Sequence, residues 1–322
     1  MVNKMVDEKN ETLSPEQDLP EKLSNILEDG VTVYEDEASA TQRDEDCVYV
    51  YRGEALNEEE LYQLSAREDV RQVLIAGPQH SGKTTLVVML YYLFQEGRNS
   101  FLRFGGSLTM EGFKNRASKI LLASGESKPL VDRTSRSIQN RYLHLVLVDA
   151  DGIKSNLILT DISGELFTPE YMEEIGKLYS GYENVILTVD GEKLRDPMER
   201  QHEIFQIIQL LKNLLNFQVV DKHSKLQIIC TKRDLIEETE DRGKDTIKFW
   251  KKKQDSIRGQ YEADVSFLDF HLISALRLDD EDTSKELEQI MLECLEGGKD
   301  ELVVPHEEPA LRRYFDKFKM RG

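Results

Sequence analysis

The sequence predicts an α/β fold with a mostly parallel β-sheet, and three observations indicate it. Short apolar runs alternate with longer helical stretches from residue 71 onward, an alternation typical of a sheet covered by helices on both faces. A glycine-rich loop lies between the first run and the first helix. Only six residues separate the runs Tyr142–Asp149 and Asn156–Asp161. That link has no room for a crossover helix, so we expect these two strands to pair antiparallel.

The elements are predicted from apolar runs bounded by turn residues and from helical spacing of apolar side chains. A short strand is expected at residues 48–51, and Asn57 before three glutamates indicates a helix start. The other strands are predicted at Val73–Gly77, Tyr142–Asp149, Asn156–Asp161, Asn184–Asp190, Leu226–Thr231 and Asp269–Ser274. The helices are predicted near Lys83–Glu96, Pro169–Tyr179, Asp196–Leu215, Asp245–Gln260 and Thr283–Glu296.

Composition restricts the class of protein. The 322 residues include 61 Asp and Glu against 42 Lys and Arg, a formal net charge of −19, which argues against broad nucleic-acid binding. The longest apolar run, which ends at Phe94, is far shorter than the roughly 20 residues that span a bilayer, and the N-terminus has no secretory pattern. Three widely spaced cysteines form neither a disulfide framework nor a metal site. We expect a cytoplasmic protein without a transmembrane segment.

The acidic charge is concentrated at the N-terminus. Residues 1–70 contain 20 acidic and 6 basic side chains, and the composition of residues 1–46 is typical of disorder. We predict an acidic segment at 1–46, a strand and helix extension at 47–70, a main domain at 71–298 and a basic tail at 299–322. The acidic segment is interpreted as a solubilising tail or as a docking or autoinhibitory segment. The basic tail is a final packed helix or frayed end, or alternatively a membrane-surface or partner contact.

The most specific motif is GPQHSGKT at residues 77–84, which matches G-x-x-x-x-G-K-[ST] between a predicted strand and a predicted helix. Gly77 and Gly82 allow the backbone to turn tightly around phosphate groups. The N–H groups at the helix N-terminus then face the anion. The sequence therefore predicts a phosphate-binding loop.

Side chains of this loop have predicted roles in binding a nucleotide. Lys83 reaches the outer phosphates as a point charge, and Thr84 offers its hydroxyl to Mg²⁺. Thr85 is placed near the α-phosphate, and Ser81 belongs to the same loop. His80 either shapes the loop or approaches the γ-phosphate, and we leave both interpretations open.

A second signature follows the strand that ends at Asp161. A carboxylate at a strand tip is suited to hold Mg²⁺ through a water molecule. The backbone N–H of Gly164, three residues later, is placed to bond a γ-phosphate oxygen. Asp161 and Gly164 therefore extend the predicted nucleotide site.

The sequence Thr231-Lys232-Arg233-Asp234 follows the apolar strand Leu226–Thr231 and fits the base-recognition pattern [NT]-K-x-D. A carboxylate at Asp234 accepts from both N1–H and the exocyclic amine of guanine, a donor pair that adenine lacks. The stem of Lys232 is expected to lie against the base. Ser274-Ala275-Leu276 closes the last strand, and the N–H of Ala275 is placed to bond guanine O6.

The order GPQHSGKTT, DISG, TKRD and SAL resembles the translation-factor and Ras-like (TRAFAC) class of P-loop GTPases over roughly residues 71–298. Five further stretches are similar to the bacterial double-GTPase families, namely Phe104–Thr109, Glu111–Phe113, Arg133–Ser135, Leu143–Leu145 and Asp161–Glu165. The resemblance implies a Ras-like three-layer fold with one antiparallel strand. It implies GTP or GDP with Mg²⁺ as ligands, and a protein effector or second GTPase, in a signalling or conflict system, as partner.

The resemblance also assigns roles to single residues. It makes Thr134 the switch threonine that meets Mg²⁺ and the γ-phosphate, Asp161 and Gly164 the second switch, and Thr231, Lys232 and Asp234 the guanine-reading residues. Lys83, Thr134, Arg133 and Glu165 are the expected catalytic residues. The class usually has Gln where this chain has Glu165, so intrinsic hydrolysis is expected to be slow or assisted from elsewhere.

The stretch from Arg98 to Arg141 has nine basic and three acidic residues. It is interpreted as an intramolecular partner of the acidic N-terminus, as a solvated segment, or as the source of an arginine finger at Arg133, with Arg136 second. The sequence favours a GTP-hydrolysing switch. The alternatives are a GTP-binding scaffold with negligible hydrolysis and an ATP-using P-loop enzyme.

Overall fold

A computed structural model of the chain describes most of the predicted main domain. The described residues are 53–97, 101–121, 142–162, 166–167, 169–179, 181–238, 240–274 and 281–296. The predicted acidic segment, the strand at 48–51 and the basic tail lie outside them, so the predicted domain boundaries stay predictions.

Helices and strands alternate through the described residues. The strands are β1 Val70–Ala76, β2 Arg103–Gly106, β3 Tyr142–Val148, β4 Lys154–Asp161, β5 Asn184–Asp190, β6 Lys225–Thr231 and β7 Phe267–Leu272. The helices are α1 Glu58–Ser65, α2 Lys83–Gln95, α3 Met110–Leu121, α4 Pro169–Leu178, α5 Gly191–Arg195, α6 Arg200–Asn216, α7 Arg233–Glu237, α8 Glu240–Tyr261 and α9 Glu281–Leu295. Within the described part of the chain, no helix combines the length and apolar character that crossing a membrane requires.

The strands form one seven-stranded sheet in the order β2-β3-β4-β1-β5-β6-β7. Strand β3 runs antiparallel to β2 and to β4, whereas the pairs from β4 to β7 are parallel. The prediction of a mostly parallel α/β sheet with one antiparallel strand is therefore confirmed.

The sheet is covered on both faces, which gives the three-layer arrangement. Successive strand residues point to opposite faces: Leu74 of β1 packs into the core that contains α4, α6 and α8 residues. Its neighbours Val73 and Ile75 pack into the core with α2, α3 and α9 residues. The parallel strands are buried on both faces and hence read as nearly continuous apolar runs.

Several element boundaries differ from the prediction, and helix α8, predicted at Asp245–Gln260, begins earlier, at Glu240. The helix predicted at Asp196–Leu215 begins only at Arg200, because Pro197 disfavours helical geometry at Asp196, whose ψ is 118°. The last strand is expected at Asp269–Ser274 but begins at Phe267, which pairs with Lys225 of β6.

The basic stretch after α2 contains two elements that the sequence did not predict, β2 and α3. The ring of Phe113 in α3 stacks on Tyr91 of α2 at a centroid distance of 4.5 Å. Phe104 of β2 meets Tyr91 edge-on at 5.8 Å. Part of this stretch therefore belongs to the core of the domain.

Hydrogen bonds to His144 of β3 hold the turn between β2 and α3. The N–H of Leu108 donates to His144 Nδ1 at 3.0 Å, so the ring proton lies on Nε2, which is 3.1 Å from Asn156 Oδ1. Thr109 Oγ1 accepts from the N–H of His144 at 2.8 Å. Burial lowers the pKa of His144. The neutral ring is thus a structural group of the sheet.

Truncation of Phe113 tests how firmly α3 is packed. Phe113 is fully buried, so Phe113→Ala should lower the free energy of unfolding by about 3–5 kcal/mol. Urea unfolding measures this, and Phe205→Ala, at a position 57% exposed, is the control, with an expected change within about 0.5 kcal/mol. Equal values for the two variants would show that α3 is not part of the core.

Candidate functional site

The loop after β1 takes its shape from two glycines. Gly77 has φ +154°, and a side chain there would meet the carbonyl of Thr188 at 2.7 Å and the Ser81 hydroxyl at 2.9 Å. Gly82 has φ +84° and precedes the first residue of α2. Both positions require glycine, because other residues rarely adopt these angles and the space at Gly77 is filled.

The Ser81 hydroxyl anchors this loop to the neighbouring strand. It lies 2.6 Å from Thr188 Oγ1 of β5 and donates to the carbonyl of Pro78 at 2.8 Å. Ser81 is fully buried, so its side chain holds the loop. His80, at the tip of the loop, is exposed and has φ +63°.

Lys83, the first residue of α2, bends back over the loop. Its Nζ donates to the carbonyls of Gly77 at 2.9 Å and Pro78 at 2.7 Å. Burial lowers the pKa of Lys83 to about 8, while the charge of Asp161 acts in the opposite direction. The carbonyls and the carboxylate thus keep a largely buried ammonium group at the loop.

Thr84 and Asp161 meet as the sequence predicts. Parallel pairing sets Asp161 of β4 beside Ile75 of β1, and Thr84 Oγ1 donates to Asp161 Oδ2 at 3.0 Å. Asp161 is 1% exposed, and its Oδ1 has no hydrogen-bond partner among the described residues. A buried carboxylate oxygen without a donor is costly. Oxygen ligands are those that Mg²⁺ prefers, so this pair fits a magnesium ion.

Arg116 of α3 is a residue near this site that the sequence did not single out. Burial lowers its pKa, and the charge of Asp161, followed by that of Glu54, opposes the lowering. Its Nη1 donates to the carbonyl of Gly112 at 3.1 Å. Arg116 was one of nine basic residues in its stretch, and only the position of α3 distinguishes it from the others.

Thr231 connects the end of β6 to the phosphate loop. Its hydroxyl lies 3.0 Å from the carbonyl of Ser81 and 3.1 Å from that of Val189. One side chain therefore joins the predicted base-reading segment, the loop and β5.

Lys232 is held by acidic side chains that sequence reasoning did not identify. Its Nζ donates to Asp190 Oδ2 at 2.8 Å and to Glu192 Oε2 at 3.1 Å. Although burial lowers the pKa of Lys232, the charges and hydrogen bonds of these carboxylates raise it. The buried Glu203 in turn accepts from the N–H of Asp190 at 3.0 Å. Asp190 ends β5, a position at which a carboxylate could have been noticed.

Asp234 lies beside the end of β7. Its N–H donates to Ser274 Oγ at 3.0 Å, and the N–H of Arg233 donates to the carbonyl of Ile273 at 2.9 Å. Asp234 is in the first turn of α7 and is partly exposed. The predicted segment at 231–234 is therefore adjacent to Ser274.

The described contacts join the loop, Asp161, Thr231, Asp234 and Ser274 along the carboxyl edge of the sheet. Thr85 lies in the first turn of α2 and is partly buried. The remaining predicted site residues lie outside the described residues and stay predictions: Arg133, Thr134, Arg136, Gly164, Glu165, Ala275 and Leu276.

The fold and the loop define a P-loop nucleotide-binding protein of α/β architecture. The family model of Double-GTPase 2 matches residues 71–287, which is more than half of the chain. The chain belongs to the Double-GTPase 2 family, and the predicted resemblance is confirmed. This membership supports the binding of GTP.

Two solved structures are similar to the chain at low identity. One is a crystal structure of a mutation variant of SsGBP, with 15% identity and a TM-score of 0.39, covering 74% of this chain and 60% of that one. The other is Methanosarcina barkeri Roco2 RocCORdC bound to GDP, with 13% identity and a TM-score of 0.37, covering 75% of this chain and 51% of that one. The chain thus spans about half to three fifths of their lengths. A search of curated proteins found no match.

The Thr231 hydroxyl provides a test of the connection between the two ends of the site. Thr231→Val keeps the shape but removes the bonds to Ser81 and Val189, so GDP affinity should fall about tenfold, equivalent to about 1.4 kcal/mol. Isothermal titration measures it.

Thr246→Val is the matched control. Thr246 is buried, and its hydroxyl bonds the Arg242 carbonyl within α8. GDP affinity should change less than about twofold in this variant. A Thr231→Val protein that binds GDP like wild type would show that this contact does not support the site.

Proposed function

We propose that the protein is a molecular switch that binds and hydrolyses GTP and acts through a protein partner. The observation that carries the proposal is the set of contacts joining four signatures, Thr84 with Asp161, Thr231 with Ser81, and Asp234 with Ser274. These contacts lie along one continuous edge of the sheet, with phosphate-binding chemistry at one end and base-reading chemistry at the other.

At the phosphate end, the chain supplies positive charge and backbone donors. The first N–H groups of α2 have no acceptor within the helix and face the loop. Lys83 exchanges its two carbonyl partners for phosphate oxygens, which compensate its buried charge better than neutral carbonyls do. Thr84 and Asp161, with Thr134, would hold Mg²⁺, which when bound neutralises charge on the outer phosphates.

At the base end, specificity comes from Asp234. Its carboxylate accepts two hydrogen bonds from guanine and would be left without them by adenine, which costs far more than a lost apolar contact. Asp190 and Glu192 fix Lys232 beside that position, so its stem supports the plane of the base. This chemistry favours guanine nucleotides over the ATP-using alternative.

For hydrolysis, the chain needs a cation at the γ-phosphate and a group that orients water. Arg133 is our proposed cation, with Arg136 second. Arg116, on whose pKa the charge of Asp161 acts against burial, is a further candidate. Glu165 stands where the class usually has a glutamine, and a carboxylate beside a triphosphate is electrostatically unfavourable. The alternative of a GTP-binding scaffold rests on this residue.

The switch itself would lie in the segments around Thr134 and Gly164. Contacts to the γ-phosphate would hold both segments, and hydrolysis would release them. A protein effector or a second GTPase would read that difference.

Substitution of Asp234 tests base recognition. Xanthine carries an oxygen in place of the guanine amine, so an amide at this position can donate to it. Asp234→Asn should therefore lower GDP affinity and raise XDP affinity, each by at least about tenfold. Competition against a fluorescent nucleotide measures both, with the exposed Asp241→Asn as control. An unchanged preference for guanine in Asp234→Asn would remove the basis for base reading by this residue.

Single-turnover hydrolysis of bound GTP separates the switch from the scaffold. Arg133→Ala should slow the reaction about 10³-fold if Arg133 neutralises the transition state, while the exposed Arg103→Ala should leave the rate unchanged. Loss of rate in Arg116→Ala but not in Arg133→Ala would move the role to Arg116. A wild-type protein that binds GTP without turnover would contradict hydrolysis and support the scaffold.

A further inference from the structure

A second group of metal-ligating side chains lies between the edge strand β7 and helix α9. Asp269 and His271 alternate along β7 and so share one face, and Glu293 comes from α9. One ligand atom of each lies within 4.8 Å of the others. The Glu293 carbonyl accepts from Lys225 Nζ, at the start of β6, at 2.8 Å. Asp269 and His271 pair with Gln227 and Ile229, in the middle of β6.

This group is buried and contains polar atoms without hydrogen bonds. His271 is 3% exposed and Glu293 is 9% exposed. Within the part of the chain that the structure describes, His271 Nε2 and Glu293 Oε2 are both buried without a hydrogen-bond partner. Two such atoms facing one another are unfavourable unless a positive charge lies between them.

Glu286 orients the imidazole ring of His271 from the side opposite Glu293. Its Nδ1 lies 2.9 Å from Glu286 Oε1, so Nδ1 carries a proton that it donates to this carboxylate. The lone pair of Nε2 then points toward Glu293. A carboxylate that holds the second nitrogen of an imidazole in this way is the arrangement found behind metal-binding histidines.

The distance between His271 Nε2 and Glu293 Oε2 fits a shared ion. His271 Nε2 and Glu293 Oε2 are 3.5 Å apart, longer than the roughly 2.7–2.9 Å of a charge-assisted hydrogen bond. Two ligands at about 2.1 Å from a tetrahedral zinc ion are separated by about 3.4 Å. The spacing is therefore that of two adjacent ligands.

We propose that Asp269, His271 and Glu293 bind a divalent transition-metal ion of the zinc type. An imidazole nitrogen excludes magnesium and calcium, which take oxygen ligands, and suits zinc. Arg258 Nη2 lies 3.3 Å from Asp269 Oδ1 and so orients that carboxylate from α8. The ion would join the edge strand to helix α9 and stabilise the sheet edge.

A proton is the competing occupant of the same position. Although burial lowers the pKa of His271, the carboxylates of Glu286 and Glu293 raise it to about 9. A protonated ring would bridge the two carboxylates without any metal. The distinction between a metal site and this ionic bridge can be measured directly.

Cobalt binding to the full chain is the test. With Mg²⁺ and GDP in excess to saturate the proposed nucleotide site, one equivalent of Co²⁺ should produce the visible absorption of tetrahedral cobalt. Zn²⁺ should displace it and raise the melting temperature of the wild-type protein. His271→Gln and Glu293→Gln should each weaken binding at least about 100-fold, because even outer-shell partners cost about 10- to 100-fold.

His223→Gln is the matched control, since His223 is exposed; it should leave Co²⁺ binding unchanged. Circular dichroism measures whether each variant is folded. If a variant does not fold, Asp269→Asn, at a partly exposed ligand position, is tested in its place. Wild-type protein that binds no Co²⁺ or Zn²⁺ would overturn the proposal in favour of the protonated bridge. Binding that survives His271→Gln would also overturn it, whether or not the protein binds GDP.

Discussion

The candidate site depends on the hydrogen bond from the Thr231 hydroxyl to the carbonyl of Ser81. Parallel strands end at a common edge, and β5 alone separates β1 from β6 in the sheet. The hydroxyl of Ser81 in turn contacts Thr188 of β5, the strand between β1 and β6. The predicted phosphate-binding and base-reading segments, whose contacting residues lie 150 positions apart in sequence, are thereby held in one fixed relation.

Buried charge is the second constraint on this edge. Lys83 and Asp161 are both nearly inaccessible, and each would be unfavourable alone in a poorly solvated interior. The charge of Asp161 opposes the effect of burial on the pKa values of Lys83 and Arg116. A nucleotide phosphate and its metal ion would complete this set, so the same groups that cost stability provide binding energy.

Much of the fold and site could be predicted because the signals were local. The runs that became β4, β5 and β6 are mostly apolar, and the glycines and Lys83 lie at fixed spacing. Strand β2 contains two glycines in four residues and so has no apolar pattern. Helix α3 has apolar residues at helical spacing, Phe113, Ala117 and Ile120, but the basic charge of its stretch led to a different interpretation. The positions of Arg116 and of Asp190 beside Lys232 depend on tertiary packing, which one sequence does not contain.

Competition between GDP and ADP for the wild-type protein tests the central claim most directly. If one guanine nucleotide spans Lys83 and Asp234, GDP should displace a fluorescent GDP analogue at a concentration at least about 100-fold lower than ADP, because adenine lacks the donor pair that the Asp234 carboxylate accepts. Equal displacement by the two nucleotides, or preference for ADP, would contradict this account of base recognition by Asp234.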